Sequence, residues 1–212
     1  MQIHQQHVYS QQPRVFNHSL DWRFLLPHTD ARKFFIIFED DPDFNQTLEQ
    51  IGIPVSNLLS FSDITQKERA HSLALPFGLP MRWVSVQQEE QIEFYRSIRR
   101  LIRPDGHLLI GFKNSRNFRS KIPSKYYSST PHRTAYQLHQ AGFKSIRIFG
   151  AMPNLNIPEY IFDLDVNAIH FALHHRFKRK PAILNILQTL SRTISWAGIS
   201  TFLPCYFAVA VA

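Results

Sequence analysis

A single cysteine, Cys205, in 212 residues excludes an internal disulfide. No arginine-led apolar stretch with a small-residue cleavage site opens the sequence, so secretion is not indicated and a reducing, cytosolic setting is the expectation. Long apolar runs are also missing. Trp196 to Ala212 carries no charge, yet it falls short of the ~20 residues a spanning helix needs, and Pro204 interrupts it; a buried final strand is the expected reading. No repeat with a fixed period is visible. His170 and His174 share a helical i, i+4 spacing, but no third ligand accompanies them, so no metal site is read there.

The sequence does hold enough apolar material for one core: 44% of residues are hydrophobic, and the length suits one domain rather than two catalytic ones. A frayed lead-in over residues 1–17, rich in Gln and His, is expected before one α/β domain over residues 18–212. The formal charge of +8 favours anionic partners. Most of the excess is spread singly, and no basic stripe interleaved with aromatics is present, so nucleic acid is disfavoured as a partner. The one dense run, Arg176 with Lys178, Arg179 and Lys180, leaves peripheral contact with an anionic membrane as an expectation.

Along the chain, Lys33 to Phe38 is a continuous apolar run suited to a strand buried on both faces of a parallel sheet. Phe44 to Ile51 reads as a short helix stopped by Gly52, and Ile53 to Leu59 as the next strand. Ser60 to Pro80 mixes a helix around Ile64 to Ala74 with two prolines, and Met81 to Val86 reads as a strand. Glu89 to Ile102 is an amphipathic helix, with Ile92, Tyr95, Ile98, Leu101 and Ile102 near one face and Arg99, Arg100 and Arg103 suited to its C-terminal dipole. Pro104-Asp105-Gly106 reads as a turn and His107 to Phe112 as a buried strand. Thr130-Pro131 caps a helix ending at Gly142. Ser145 to Phe149 is a strand, helices follow around Val166 to His175 and over Ala182 to Trp196, and Tyr206 to Val211 closes the chain as a strand. Strands separated by helical segments imply a mainly parallel sheet with helices on both faces.

Three stretches carry a family resemblance. Leu101-Ile102-Arg103-Pro104-Asp105-Gly106-His107-Leu108-Leu109-Ile110 resembles the "L-x-P-G-G-x-L-x-I" approach to the fifth strand of class I S-adenosylmethionine-dependent methyltransferases, with Asp105 in place of the first glycine. Ala141-Gly142-Phe143 resembles the family's "A-G-F" turn before its sixth strand, and Ala74-Leu75-Pro76-Phe77 resembles the "A-L-P-F" that often precedes its fourth. The resemblance implies a Rossmann-like, mostly parallel seven-stranded sheet with an antiparallel final strand. It also implies S-adenosylmethionine as cofactor and methyl transfer to a small molecule, such as a sugar or lipid-linked intermediate. The alternative is a non-catalytic relative serving as a partner subunit or ligand-binding module.

The resemblance further places cofactor contacts in the turn after the first strand, which reads Phe38-Glu39-Asp40-Asp41-Pro42-Asp43-Phe44 and contains no glycine. Glu39 and Asp41 border the cofactor in that reading, with Asp63 on its ribose side and His71 at an adenine-side position. Asp21 and Trp22 would fold over the sheet edge as a lid, and Lys113, Asn114, Tyr126 and Tyr127, after the fifth strand, would meet the substrate. His132 is the residue that could take a proton from a substrate hydroxyl. The bland alternatives are a solvated acidic turn whose Asp43 caps a helix, a polar loop after the fifth strand, and a surface histidine at a helix start.

Overall fold

A computed structural model describes residues 22–27, 34–37, 58–59, 70–76, 87–116, 127–155, 158–182, 184–186, 189 and 203–212. Among these, a 3-10 turn, η1 (Trp22–Leu25), is followed by strands β1 (Phe34–Ile37), β2 (Leu58–Leu59) and β3 (Ala70–Leu75), helix α1 (Gln88–Arg100) and the long strand β4 (Ile102–Asn114). Then come β5 (Ser128–Ser129), α2 (Pro131–Gln140), β6 (Lys144–Met152), β7 (Tyr160–Asp163), α3 (Val166–Phe177) and β8 (Cys205–Val211). The strands form one mixed sheet in the order β2-β1-β3-β4-β8-β6-β7, with β5 paired to the end of β4. β1 to β5 pair in parallel, whereas β8 runs antiparallel to both β4 and β6, as expected for the final strand.

The helices form where their ends are satisfied. Glu89 and Glu90 in the first turn of α1 and Arg99 and Arg100 in its last oppose the helix dipole. At α2 the Thr130 hydroxyl accepts a hydrogen bond from the Arg133 amide at 3.2 Å, and Pro131 occupies a first-turn position where no intrahelical N–H is needed. The same helix stops at Gly142, φ +92°, where the Gly142 amide donates to the His139 carbonyl at 2.9 Å and the Phe143 amide to the Leu138 carbonyl at 3.1 Å. Leu138 and Phe143 bury together beside this turn, so the "A-G-F" sequence is a helix stop sealed by its own hydrophobic contact.

Alternation along the strands divides the core in two. Leu108, Ile110 and Phe112 of β4 and Tyr206, Ala208 and Ala210 of β8 point to one face, covered by Tyr95 and Ile98 of α1 and Leu138 of α2. Leu109, Phe207 and Val209 point to the other, where they meet Trp22 and Leu26. A third cluster joins Met152 to Ile169, Ala172 and Leu173 of α3, which packs against β7.

Two expectations change. Among the described residues the sheet has eight strands, the short β5 and β7 included. Residues 70–74, read as the end of a helix, belong to β3, since β1 and β4 flank them and supply both ladders. Ala74 and Leu75 of the "A-L-P-F" motif consequently end β3. Pro104-Asp105-Gly106 is a bulge inside β4, because Ala70 pairs with Ile102 while Ser72 already pairs with His107. Asp105 there has φ +62°, a left-handed conformation that Asp tolerates better than most residues. The expected helix over Phe44 to Ile51, the strand over Met81 to Val86 and the turn from Phe38 to Phe44 lie outside the described residues.

Candidate ligand crevice

Because β1 to β5 are parallel, their carboxyl ends share one edge of the sheet. The chain leaves β1 for β2 on one side and returns to β3 on the other, which creates a switch point between β1 and β3. Open α/β sheets bind ligands in the crevice outside such a point. The described residues at its walls are Ile37, Leu75-Pro76 and the end of β4 at Lys113-Asn114. Gly111 sets how closely two of these walls approach: a Cβ there would lie 2.1 Å from the Pro76 carbonyl oxygen and 3.1 Å from Leu155 Cδ2. Only glycine fits that spot.

The structure brings Lys113, Asn114, Tyr127 and His132 to this edge, since β5 pairs Lys113 with Ser128 and Asn114 with Ser129. Asn114 is fully buried: its Nδ2 donates to the Leu203 carbonyl at 2.8 Å and its Oδ1 accepts from the Arg116 amide at 3.0 Å. Lys113 is half-buried beside it. The buried Tyr127 hydroxyl donates to Gln91 Oε1 at 3.1 Å. His132 is exposed in the first turn of α2. Trp22, expected as a lid, is 3% exposed and packs with Ala74, Leu109 and Phe207 on a sheet face. His71 is the second residue of β3, about 13 Å of extended chain before the strand's carboxyl end. Asp21, Glu39, Asp41, Asp63 and Tyr126 lie outside the described residues.

Sequence reading missed the polar cluster beneath this edge. Gln91 Oε1 accepts from the Tyr127 hydroxyl, from Arg133 Nη2 at 3.1 Å and from Gln137 Nε2. Thr134 Oγ1 donates to Ser129 Oγ at 3.1 Å and lies 3.1 Å from the Tyr206 hydroxyl. A signal existed: Gln91 is one turn before Tyr95 on the apolar stripe of α1, and Gln137 adjoins Leu138 on that of α2. Burial raises the Tyr206 phenol well above its usual range, although the Thr134 and Ser129 hydroxyls pull the other way. Burial does the same to Tyr95, with Tyr127 and Tyr206 reinforcing it. Cys205, whose Sγ donates to the Ala151 carbonyl at 3.2 Å, is pushed up to about 12 by burial, against a lowering by Lys113, and is a core thiol at pH 7.

Strand order, the antiparallel β8 inserted between β4 and β6, and the Leu101 to Ile110 motif describe a Rossmann-like, methyltransferase-like α/β fold. No family model and no curated protein matches the chain. Among solved structures it is similar to a SAM-dependent methyltransferase from Archaeoglobus fulgidus, at 11% identity and TM-score 0.48 over 84% of this chain and 85% of that one. It is also similar to a possible histamine N-methyltransferase from Thermotoga maritima, at 8% identity and TM-score 0.43, covering 84% of this chain and 72% of that one. A possible exported protein from Bordetella parapertussis matches at 13% identity and TM-score 0.40; 84% of this chain is covered, spanning 52% of that protein.

The described crevice residues offer a methyl donor two walls. The stretch Glu39 to Asp43 that follows β1 in sequence, with four carboxylates and no glycine, lies outside the described residues.

Proposed function

We propose that this is a methyltransferase-like protein that binds an adenosyl ligand, S-adenosylmethionine, in the crevice beyond β1, β3 and β4. Its acceptor is a small molecule, a sugar or a lipid-linked intermediate. The observation that carries this reading is the switch point between β1 and β3, with the motif-bearing β4 beside it. Methyl transfer needs reactants held in line and shielded from water more than it needs an acid–base pair, so the lack of a dyad among the described edge residues does not count against it. In this reading Lys113 and His132 face the acceptor from the end of β4 and the start of α2, while Glu39, Asp41 and Asp63 lie on the cofactor side.

A second reading, a methyltransferase-fold partner subunit that has lost the cofactor, rests on two specific observations. The stretch Glu39 to Asp43 that follows β1 in sequence is acidic and without glycine, and Asn114 and Tyr127 spend their polar groups inside the protein. Isothermal titration with S-adenosylmethionine and S-adenosylhomocysteine separates the two. Micromolar binding weakened by Asp41→Ala supports the first. No heat and no thermal shift at millimolar ligand leaves the second.

A further inference from the structure

The outer face of α3 has no part in the crevice, and its chemistry is unusual. Ile169, Ala172 and Leu173 turn inward. Outward, at helical spacing, stand Phe171, His174, His175 and Lys178. Phe171 is 67% exposed, the most exposed of the large hydrophobic side chains among the described residues. It is held rather than loose: its ring lies 5.8 Å from that of His175, whose Nδ1 is 3.1 Å from the Tyr160 hydroxyl. At the end of the helix Lys178, Arg179 and Lys180 are all exposed, and no described acidic side chain pairs with them. Arg176 is different, since it is paired with Glu159 at 3.0 Å.

The charge here is one-signed over a long stretch. Asp165, which caps the far end of α3 by accepting from the Ala168 amide at 2.9 Å, is the last acidic residue in the sequence; none occurs from Val166 to Ala212. Asp163, just before it, is engaged by Arg147 at 3.1 Å. An aromatic ring projecting beside exposed Lys and Arg that no described acid pairs suits peripheral contact, in which the ring enters the headgroup boundary and the cations meet anionic lipid. No described helix is long and apolar enough to cross a membrane, so contact at the surface is the geometry available to α3.

We infer that the outer face of α3, through Phe171 and the Lys178-Arg179-Lys180 run, docks the protein on an anionic lipid surface. This inference does not depend on whether the crevice binds a methyl donor.

Flotation with vesicles of phosphatidylcholine alone, and of phosphatidylcholine with about one-third phosphatidylserine, tests it directly. Binding is expected only to the anionic vesicles, and it should fall as salt rises from low to about 0.5 M because the contact is screened. Charge reversal of Lys178, Arg179 and Lys180 to Glu should weaken binding at least about a hundredfold, on the basis of roughly fivefold per cation removed. Phe171→Ser should weaken it about tenfold at unchanged charge. These side chains are exposed, so each variant should stay folded, which circular dichroism checks. Equal binding to both vesicle types, or a charge-reversed variant that floats like wild type, overturns the proposal. It is equally overturned if a short DNA duplex binds the same basic run while vesicles of either kind do not.

Discussion

Replacing Gly111 by alanine should injure the fold more than any other single added methyl group among the described residues. The new Cβ would sit 2.1 Å from the Pro76 oxygen and 2.8 Å from the Pro76 carbonyl carbon, far inside the roughly 3.5 Å at which non-bonded heavy atoms rest. Neither side can yield cheaply. Gly111 is in the middle of β4, pairs with Phe207 of β8, and is two residues beyond a Leu109 that pairs with β3; Pro76 directly follows β3. Overpacking of buried positions costs about 1–3 kcal/mol, and a clash between two backbones belongs at or above the top of that range. About 3 kcal/mol corresponds to roughly 6–12 °C in melting temperature for a domain of this size. Gly150→Ala is the control: its Cβ would meet Phe162 Cε2 at 2.7 Å and Leu164 Cδ2 at 3.2 Å, both far ends of side chains that can move, so about 1 kcal/mol is expected. Urea unfolding followed by circular dichroism measures both. A Gly111→Ala protein within about 0.5 kcal/mol of wild type, or less destabilised than Gly150→Ala, would refute the reasoning.

Other outcomes follow from the same geometry. Gln91→Leu strands the Tyr127, Arg133 and Gln137 donors and should cost about 2–4 kcal/mol, against about 1 for Tyr127→Phe, which removes one donor; equal urea midpoints for the two would show that the cluster is not shared. Thr130→Ala removes the cap of α2 and should cost about 1 kcal/mol in the same assay. The Cys205 thiol is raised from 9.0 to about 12 in the folded protein, so the unfolded chain gives up this proton first. Its contribution to stability is therefore complete below about pH 9 and is lost as pH rises toward 12, at up to about 1.4 kcal/mol per pH unit. Cys205→Ala should flatten that alkaline decline, and an unchanged slope in urea midpoints against pH would contradict the assignment.

What could be read in the sequence was whatever local pattern alone decides. The apolar runs of β1, β4 and β8, the amphipathic period of α1 and the Thr-Pro cap of α2 each declare their structure without a neighbour. β3 does not, because its residues Ala70 to Leu75 (AHSLAL) are neither continuously apolar nor strictly alternating. It becomes a strand because β1 and β4 pair with it on either side, and its small Ala74 lies in the cluster that takes in Trp22. The two-residue β5 and the four-residue β7 are equally decided by their partners, β4 and β6. For the crevice, the resemblance pointed to the carboxyl edge of the sheet, where the structure places Lys113, Asn114 and Tyr127. What it could not convey is that Asn114 and Tyr127 are committed to partners as distant in sequence as Leu203 and Gln91.

β8 follows β6 and β7 in the chain but lies inside them, between β4 and β6. During synthesis the ribosome therefore releases a β6–β7 hairpin that cannot join the rest of the sheet until a third strand, made later, slides between it and the part already paired. Until then β4 and β6 each present an unpaired edge, of the kind on which growing chains stick to one another. A nascent chain of this protein should depend on chaperones most heavily in the interval between the emergence of β6 and that of β8.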